Sequence, residues 1–172
     1  MAGTLLSGSP PVFAKNNSKI SAGLFGEFFT GGSPNLSIGY HKWNIGLGVN
    51  LGYASWERDY SEYPAEYNKS NGGIYMLGGR AEYYLPWKIK LKQKSSLHTY
   101  MAGEINKFWI KTNWINKATL QKAFLVGVEI FPKGDSFSIN VEAGPSWGFD
   151  VPDCSATYNI GCRWYIGRGE KK

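Results

Sequence analysis

The chain has 172 residues, enough for one domain, and its 19 Lys and Arg against 13 Asp and Glu give a formal net charge of +6. Its 22 Gly and its aromatic residues (7 Trp, 11 Tyr and 9 Phe) favour strands and turns over helices. No apolar run approaches the roughly 18 residues of a membrane helix, and no recognised nucleic-acid motif accompanies the positive charge, which argues against both of these classes.

The first half of the chain predicts four strands after a polar N-terminal tail, residues 1–18. This opening carries no intact export signal, and we expect that any native signal peptide has been removed. Turn residues bound each predicted strand, and the polar loop 59–71 separates the third strand from the fourth. The four predicted strands are residues 19–30, 35–41, 45–58 and 72–85.

The second half predicts four more strands. The fifth covers residues 98–111, and a loop at 112–119 leads to a β-hairpin within 123–147 that reverses direction at Pro132 and Gly134. A loop at 150–155 precedes the last strand, 156–167, and residues 168–172 form a C-terminal tail. Eight strands between residues 19 and 167 predict an all-β fold, an eight-stranded antiparallel up-and-down transmembrane β-barrel.

The reason for placing this barrel in a membrane is the polarity of its alternating faces. One face of each clear strand is uniformly apolar, whereas the other holds Gly, Ala, Ser, Asn and Glu, which fill a soluble core poorly. We therefore predict that the apolar face contacts lipid and that the polar face lines the interior. The predicted lipid-facing residues include Val49, Leu51, Leu77, Val126, Val128, Ile139, Val141 and Ile160.

All seven tryptophans fall at or beyond predicted strand ends, in two groups. Indole rings concentrate at both membrane interfaces because they are apolar and carry one hydrogen-bond donor. Tryptophans also cap ordinary half-buried hairpins, which is the simpler explanation. The predicted interface belt consists of Trp56, Trp109, Trp114 and Trp147 at one end and Trp43, Trp87 and Trp164 at the other.

Three stretches carry a resemblance to a known family: GGIYMLGGRAEYYLP (72–86), FLVGVEIFPKGDSFSINVEAG (124–144) and YNIGCRWYIG (158–167). They resemble the small eight-stranded outer-membrane barrels of Gram-negative bacteria, of the outer-membrane protein A and X type. The resemblance implies an outer-membrane location and a structural, anchoring or surface-interaction role. The loops on the Trp56 side are mostly longer and polar, which predicts that both termini lie in the periplasm. Expected partners are membrane lipid and lipopolysaccharide, with a possible extracellular ligand at loop 59–71, and the protein is expected to be a monomer. Such barrels often end in an aromatic residue, which residues 168–172 displace here.

Charged residues on the predicted inner face suggest an internal ionic network. The interior of an eight-stranded barrel is narrow, so buried charges there must be paired or hydrated. A structural plug without an open pore is the favoured interpretation, and a gated proton or ion path is the alternative. The residues of the predicted network are Glu27, Arg80, Glu82, Glu104, Glu129, Glu142 and Arg163.

Simple hairpin symmetry predicts two partnerships within this network. A turn centred on Lys92 sets Arg80 opposite Glu104, and a turn centred between Pro152 and Asp153 sets Arg163 opposite Glu142.

Catalysis is the first alternative, because outer-membrane lipid A acyltransferases and deacylases use a histidine with a serine or acidic partner. The two histidines, His41 and His98, are both predicted at the periplasmic end without a recognised lipase motif. We expect them to be solvated strand-end residues, and we predict no catalytic residue, cofactor or metal site. Cys154 and Cys162 are expected to stay unpaired, because an extended chain holds them about 26 Å apart.

The second alternative is a soluble ligand-binding barrel of the lipocalin type, with the apolar face inside. Its solvent face would then be rich in Gly and Ala and unusually poor in lysine. A separate feature is the basic run Lys88, Lys90, Lys92 and Lys94, which places four positive charges on one strand edge. This edge suits contact with anionic headgroups or cell-wall polymer, or more simply protects a hairpin against edge pairing.

Overall fold

A computed structural model describes residues 18–27, 34–59, 69–91, 95–112, 116–132, 136–148 and 151–167, without the side chains at 27, 56–59, 69–71 and 151–154. Within these ranges no helix is long and apolar enough to cross a membrane. The strands are β1 (Lys19–Glu27), β2 (Pro34–Lys42), β3 (Ile45–Asp59), β4 (Lys69–Lys90), β5 (Ser96–Thr112), β6 (Asn116–Phe131), β7 (Phe137–Gly148) and β8 (Val151–Gly167).

The eight strands form one closed antiparallel barrel. Each strand pairs with its neighbour in sequence, and β1 also pairs with β8, so every strand edge within the described residues is hydrogen-bonded. The predicted eight-stranded up-and-down topology is therefore confirmed. Strand ends differ, since β6 and β8 begin at Asn116 and Val151, inside segments predicted as loops. Pairing continues through polar residues there because the hydrogen bonds between strands use backbone groups alone. The alternation of apolar and polar side chains therefore does not show where such pairing begins.

The side chains alternate between the two faces of the barrel wall as the sequence predicts. On β6, Val126 points outward with 54% of its surface exposed, whereas Leu125 points inward and is fully buried. Leu47, Leu77 and Ile160 are likewise exposed on the outer surface. The apolar set therefore lies outside the barrel, which contradicts the soluble alternative with an apolar interior.

The inner wall carries small residues because large interior side chains lie against it. A Cβ atom added at Gly127 would overlap the ring carbon that carries the Tyr100 hydroxyl. Tyr100 is paired with Gly127 across β5 and β6 and is fully buried. The glycines that alternate with Val and Leu in the sequence thus make room for the contents of a narrow lumen.

One of the two predicted partnerships is correct and the other is wrong. Arg80 lies opposite Glu104 in the β4–β5 ladder, as predicted. In the β7–β8 ladder, however, Glu142 lies opposite Asn159 and Arg163 lies opposite Ser138. The chain reverses about two residues earlier than Pro152, with Gly148 already paired to Val151, and this moves each partner by four residues. An even shift leaves both charges on the inner face.

The end of the barrel that carries the strand termini Lys19 and Gly167 has a tight turn. Trp43 and Asn44 join β2 to β3, and Trp43 adopts a left-handed backbone with φ 57°. The Asn44 carbonyl accepts the Tyr84 backbone N–H at 2.8 Å. Just beyond, the β4–β5 register shifts between Tyr84 and Lys88, in a stretch that contains Pro86, which has no N–H to donate.

Candidate functional site

The centre of the barrel is the candidate site, because it gathers most of the charged residues that the sequence places on the inner face. Six of the seven predicted network residues are buried inside: Arg80, Glu82, Glu104, Glu129, Glu142 and Arg163. The seventh, Glu27, ends β1, and its side chain lies outside the described part of the structure. The four acids lie on the consecutive strands β4 to β7, and the two arginines lie on β4 and β8.

Arg80 donates hydrogen bonds to more carboxylates than Arg163 does. Its Nε donates to Glu82 Oε1 at 2.6 Å, and its Nη1 donates to Glu142 Oε1 at 2.9 Å. Nη2 donates to the other oxygen of Glu142, and Nη1 also contacts Glu104, its partner across the β4–β5 ladder. One guanidinium therefore holds three carboxylates from β4, β5 and β7, using the fork geometry that favours arginine over lysine at such positions.

Arg163 binds a second set of acceptors on the far side of the lumen. Its Nη2 donates to Glu82 Oε1 at 2.6 Å and its Nη1 to Glu82 Oε2 at 3.1 Å. Nη1 also lies 2.8 Å from the Tyr84 hydroxyl and 3.6 Å from Glu129 Oε1. Glu82 is thus shared by both arginines and connects the two halves of the network.

One aromatic ring lies within reach of both guanidinium groups. The Phe25 ring centroid lies 5.5 Å from Arg80 Cζ and 5.4 Å from Arg163 Cζ. Both distances fall within cation–π range. Phe25 therefore attracts both cations, while the Glu82 carboxylate that they share lies between them.

The described interior holds two arginines and four glutamates, so neutral donors must stabilise the excess of negative charge. Glu129 accepts hydrogen bonds from the Tyr84 and Tyr165 hydroxyls, both at 2.7 Å. Glu142 accepts one from the Tyr100 hydroxyl at 2.7 Å and one from Asn159 Nδ2 at 2.9 Å. These hydrogen bonds supply partners for carboxylate oxygens that are buried in the lumen.

These neutral donors are the residues that sequence reasoning did not assign to the network. Tyr84, Tyr100 and Tyr165 are buried, whereas Tyr75 and Tyr83 point outward. The signal was available for Tyr84 and Tyr165, since each shares the inner face of its strand with a charged residue two positions away, whereas Tyr100 has none two positions away or directly across. Tyrosine identity alone carries no preference, because the residue suits both a lipid interface and a polar interior.

The prediction that the histidines are solvated strand-end residues is wrong. His41 and His98 are 2% and 1% exposed and point into the lumen. His41 Nε2 lies 2.7 Å from the Ser21 hydroxyl, and its Nδ1 lies 3.8 Å from Glu82 Oε2. His98 Nε2 lies 3.1 Å from the Ser96 hydroxyl. Both side chains face inward at the end of the barrel that carries the strand termini. Other side chains fill the inner face there, so a histidine at a strand end is buried rather than exposed to solvent.

The interior holds the residue types of a hydrolytic triad, Ser21, His41 and Glu82. Their burial and their contacts decide whether they could act as one. Ser21 is only 2% exposed, and Glu82 is held by both arginines. A nucleophilic serine must reach a substrate carbonyl, and acyl chains would lie outside the wall.

Within the described residues, no three His, Cys, Asp or Glu side chains are grouped to hold a metal ion.

The tryptophans lie in two groups on the outer surface. Trp43, Trp87 and Trp164 are exposed at the end with the strand termini, and Trp109 and Trp147 are exposed toward the other end. The side chain of Trp56 and all of Trp114 lie outside the described residues, as do Lys92, Lys94 and most of loop 59–71. Cys162 points outward and forms no disulfide, and the side chain of Cys154 is not described.

An apolar outer surface, a hydrogen-bonded wall without an edge and a charged interior are together the properties that let strands cross a bilayer. The chain is an eight-stranded transmembrane β-barrel. This barrel is similar to solved structures of outer-membrane and surface proteins. It matches neisserial surface protein A at 12% identity, over 87% of this chain and 96% of that one, with a TM-score of 0.48.

Two further solved structures are similar to this barrel. The N-terminal β-barrel domain of OprF from Pseudomonas aeruginosa is 12% identical, with 88% of this chain and 98% of that one covered and a TM-score of 0.48. A major outer membrane protein from Thermus thermophilus is 13% identical over 87% and 99% of the chains, also at 0.48. No family model and no curated protein matches the sequence. At these identities the likeness is one of fold alone, and no role is taken from these proteins.

Proposed function

We propose that the protein is a bacterial outer-membrane barrel that serves as a structural anchor or a surface-interaction module, with a lumen plugged by its own side chains. The observation that carries this proposal is the combination of an apolar outer surface with an ionic network that crosses the interior. Membrane lipid and lipopolysaccharide are the proposed partners, with loop 59–71 as the proposed contact for an extracellular ligand, and the proposed state is a monomer.

The connectivity of the network supports the plug. β4 and β8 are four strands apart in either direction around the barrel, so the Arg163 to Glu82 ion pair spans its full width. Arg80 reaches Glu142 on β7, three strands away. Because these contacts run from wall to wall and are buried, they support a lumen that is closed to hydrated ions.

The proposed orientation places both termini in the periplasm. The two longest connections between strands, 28–33 and 60–68, leave the barrel at the end opposite the strand termini. Outer-membrane barrels carry short periplasmic turns and longer extracellular loops. The two-residue turn at Trp43 and Asn44, on the same end as Lys19 and Gly167, agrees with this orientation.

A planar bilayer recording tests the plug. We expect the refolded protein, inserted into a bilayer at low salt, to give no discrete conductance steps, since the Arg80 and Arg163 pairs close the lumen. Insertion is checked on the same sample by the mobility of the folded band before and after heating. Reproducible ion-selective steps from inserted wild-type protein would contradict the plug and favour the gated path.

A further inference from the structure

The outer surface of the barrel carries very little charge, and that charge is unevenly distributed. Among the outward-facing side chains that the structure describes, the charged ones are Lys42, Lys107, Lys111 and Lys122. Lys42 stands at the end of β2 beside the turn, whereas the other three lie on the neighbouring strands β5 and β6 toward the opposite end. We refer to Lys107, Lys111 and Lys122 as the lysine patch.

The register brings the members of the patch within reach of one ligand. Lys107 is paired with Leu120, and Lys122 is two residues farther along the same strand, so the two lysines are diagonal neighbours about 7 to 8 Å apart. Lys111 lies four residues beyond Lys107, or roughly 13 Å along β5. A headgroup with one anionic group could contact the first two lysines, and a second anionic group could reach Lys111.

The patch lies at the edge of the apolar band rather than in the middle of it. The outward positions of β5 from Leu97 to Ile105 are uncharged, a span of about the 9 residues that a strand needs to cross a bilayer. Lys107 is the next outward residue. Its Nζ lies 5.1 Å from the centroid of the Trp109 ring, and Lys122 is paired with Trp147. Exposed indole rings mark the headgroup level of a bilayer.

Nothing in the described structure neutralises these lysines. The ion pairs among the described residues lie inside the barrel and involve none of the three. Cations at a headgroup level attract phosphates of the surrounding lipids. The grouping on two adjacent strands is what distinguishes the patch from scattered lysines that only extend toward water.

We infer that Lys107, Lys122 and Lys111 form a binding site for a lipid whose headgroup carries two phosphates, located in the leaflet at the end of the barrel opposite the strand termini. The inference rests on the proposed function, which makes this the outer leaflet. Lys107 and Lys122 hold one phosphate between them, and Lys111 contacts the second. The apolar side chains below them, Ile105 and Phe124, lie where the acyl chains of that lipid would pack.

The experiment measures binding of lipid A that carries both of its phosphates. Protein refolded in zwitterionic detergent is titrated with dansyl-labelled lipid A, and energy transfer from tryptophan reports binding. Each lysine near an anionic group contributes about fivefold to affinity, so we expect Lys107→Gln, Lys111→Gln and Lys122→Gln together to weaken binding on the order of 100-fold. The control is Lys42→Gln, which replaces the outward-facing lysine at the other end and is expected to bind within about twofold of wild type.

The outcomes separate this inference from the proposed function. Lipid A with a single phosphate should bind wild type more weakly and should show a smaller loss in the patch variant. Equal losses in the patch variant and the control variant, or equal binding of both lipids, would overturn the inference alone. Both variants are first tested for a folded band and for insertion into phosphatidylcholine vesicles. If wild type itself failed to insert, the proposed function would be overturned and the inference with it.

Discussion

Replacing Arg80 with methionine is expected to lower the free energy of unfolding by about 3 to 5 kcal/mol. The side chain contacts Glu82, Glu104 and Glu142, and all four residues are buried. Removing the cation leaves three carboxylates facing one another in the lumen. The measurement is urea unfolding of protein refolded in liposomes, followed by tryptophan fluorescence.

A double-mutant cycle measures the interaction between Arg80 and Glu142 directly. Glu142→Gln alone should cost less than Arg80→Met, because Arg80 retains Glu82 and Glu104 as partners while the amide can still accept hydrogen bonds. The double variant should be more stable than Arg80→Met alone, since one of the stranded carboxylates is gone. Lys42→Met, which removes an exposed outer cation, is the control and should change stability by no more than about 0.5 kcal/mol. Strictly additive losses would mean that Arg80 and Glu142 do not interact.

Placing an arginine at Val141 is expected to cost about 2 to 4 kcal/mol, the cost of a cation near the bilayer midplane on a barrel. Val141 is exposed on the outer surface, in the middle of β7, and is paired with Val128 and Ile160. The loss comes from moving a charge into hydrocarbon. The same liposome unfolding assay measures it.

Two controls distinguish the membrane contribution from a general disturbance of β7. Ala156→Arg, on the outer face of β8 near the level of Trp147, should cost about 0 to 1 kcal/mol because it lies near the interface. Val141→Leu should be close to neutral, since it keeps the apolar surface. An equal cost for arginine at positions 141 and 156 would remove the depth dependence on which the lipid-facing assignment relies.

The faces of the strands could be predicted from sequence because the pleat has a period of two. In the first part of β3 each large aliphatic residue is followed by Gly or Asn, and the structure keeps that division. The number of strands followed from the same pattern. Strand ends could not be read in this way, since the outer parts of β6 and β8 pair through polar residues that resemble a loop.

The register of a hairpin could be predicted from the sequence only where the position of its turn could be predicted. The symmetric β4–β5 hairpin gave the Arg80 to Glu104 pair, although the register shifts near Pro86. In the β7–β8 hairpin the sequence predicts a turn at Pro152 and Asp153, but both residues lie within β8, so the reversal comes earlier. Contacts across the lumen, such as Arg163 with Glu82, depend on how the barrel closes and carry no local signal in the sequence.

The central claim, that the apolar face of the wall contacts lipid, is tested most directly by a nitroxide spin label at Val141. The label is attached to Val141→Cys in a Cys154→Ser and Cys162→Ser background, and its collision rates with oxygen and with a water-soluble nickel chelate are measured in liposomes. Oxygen concentrates in hydrocarbon and the chelate is excluded from it, so we expect frequent oxygen collisions and few nickel collisions. Frequent nickel collisions would place Val141 in water, and infrequent collisions with both would place it inside packed protein; either result would contradict the claim.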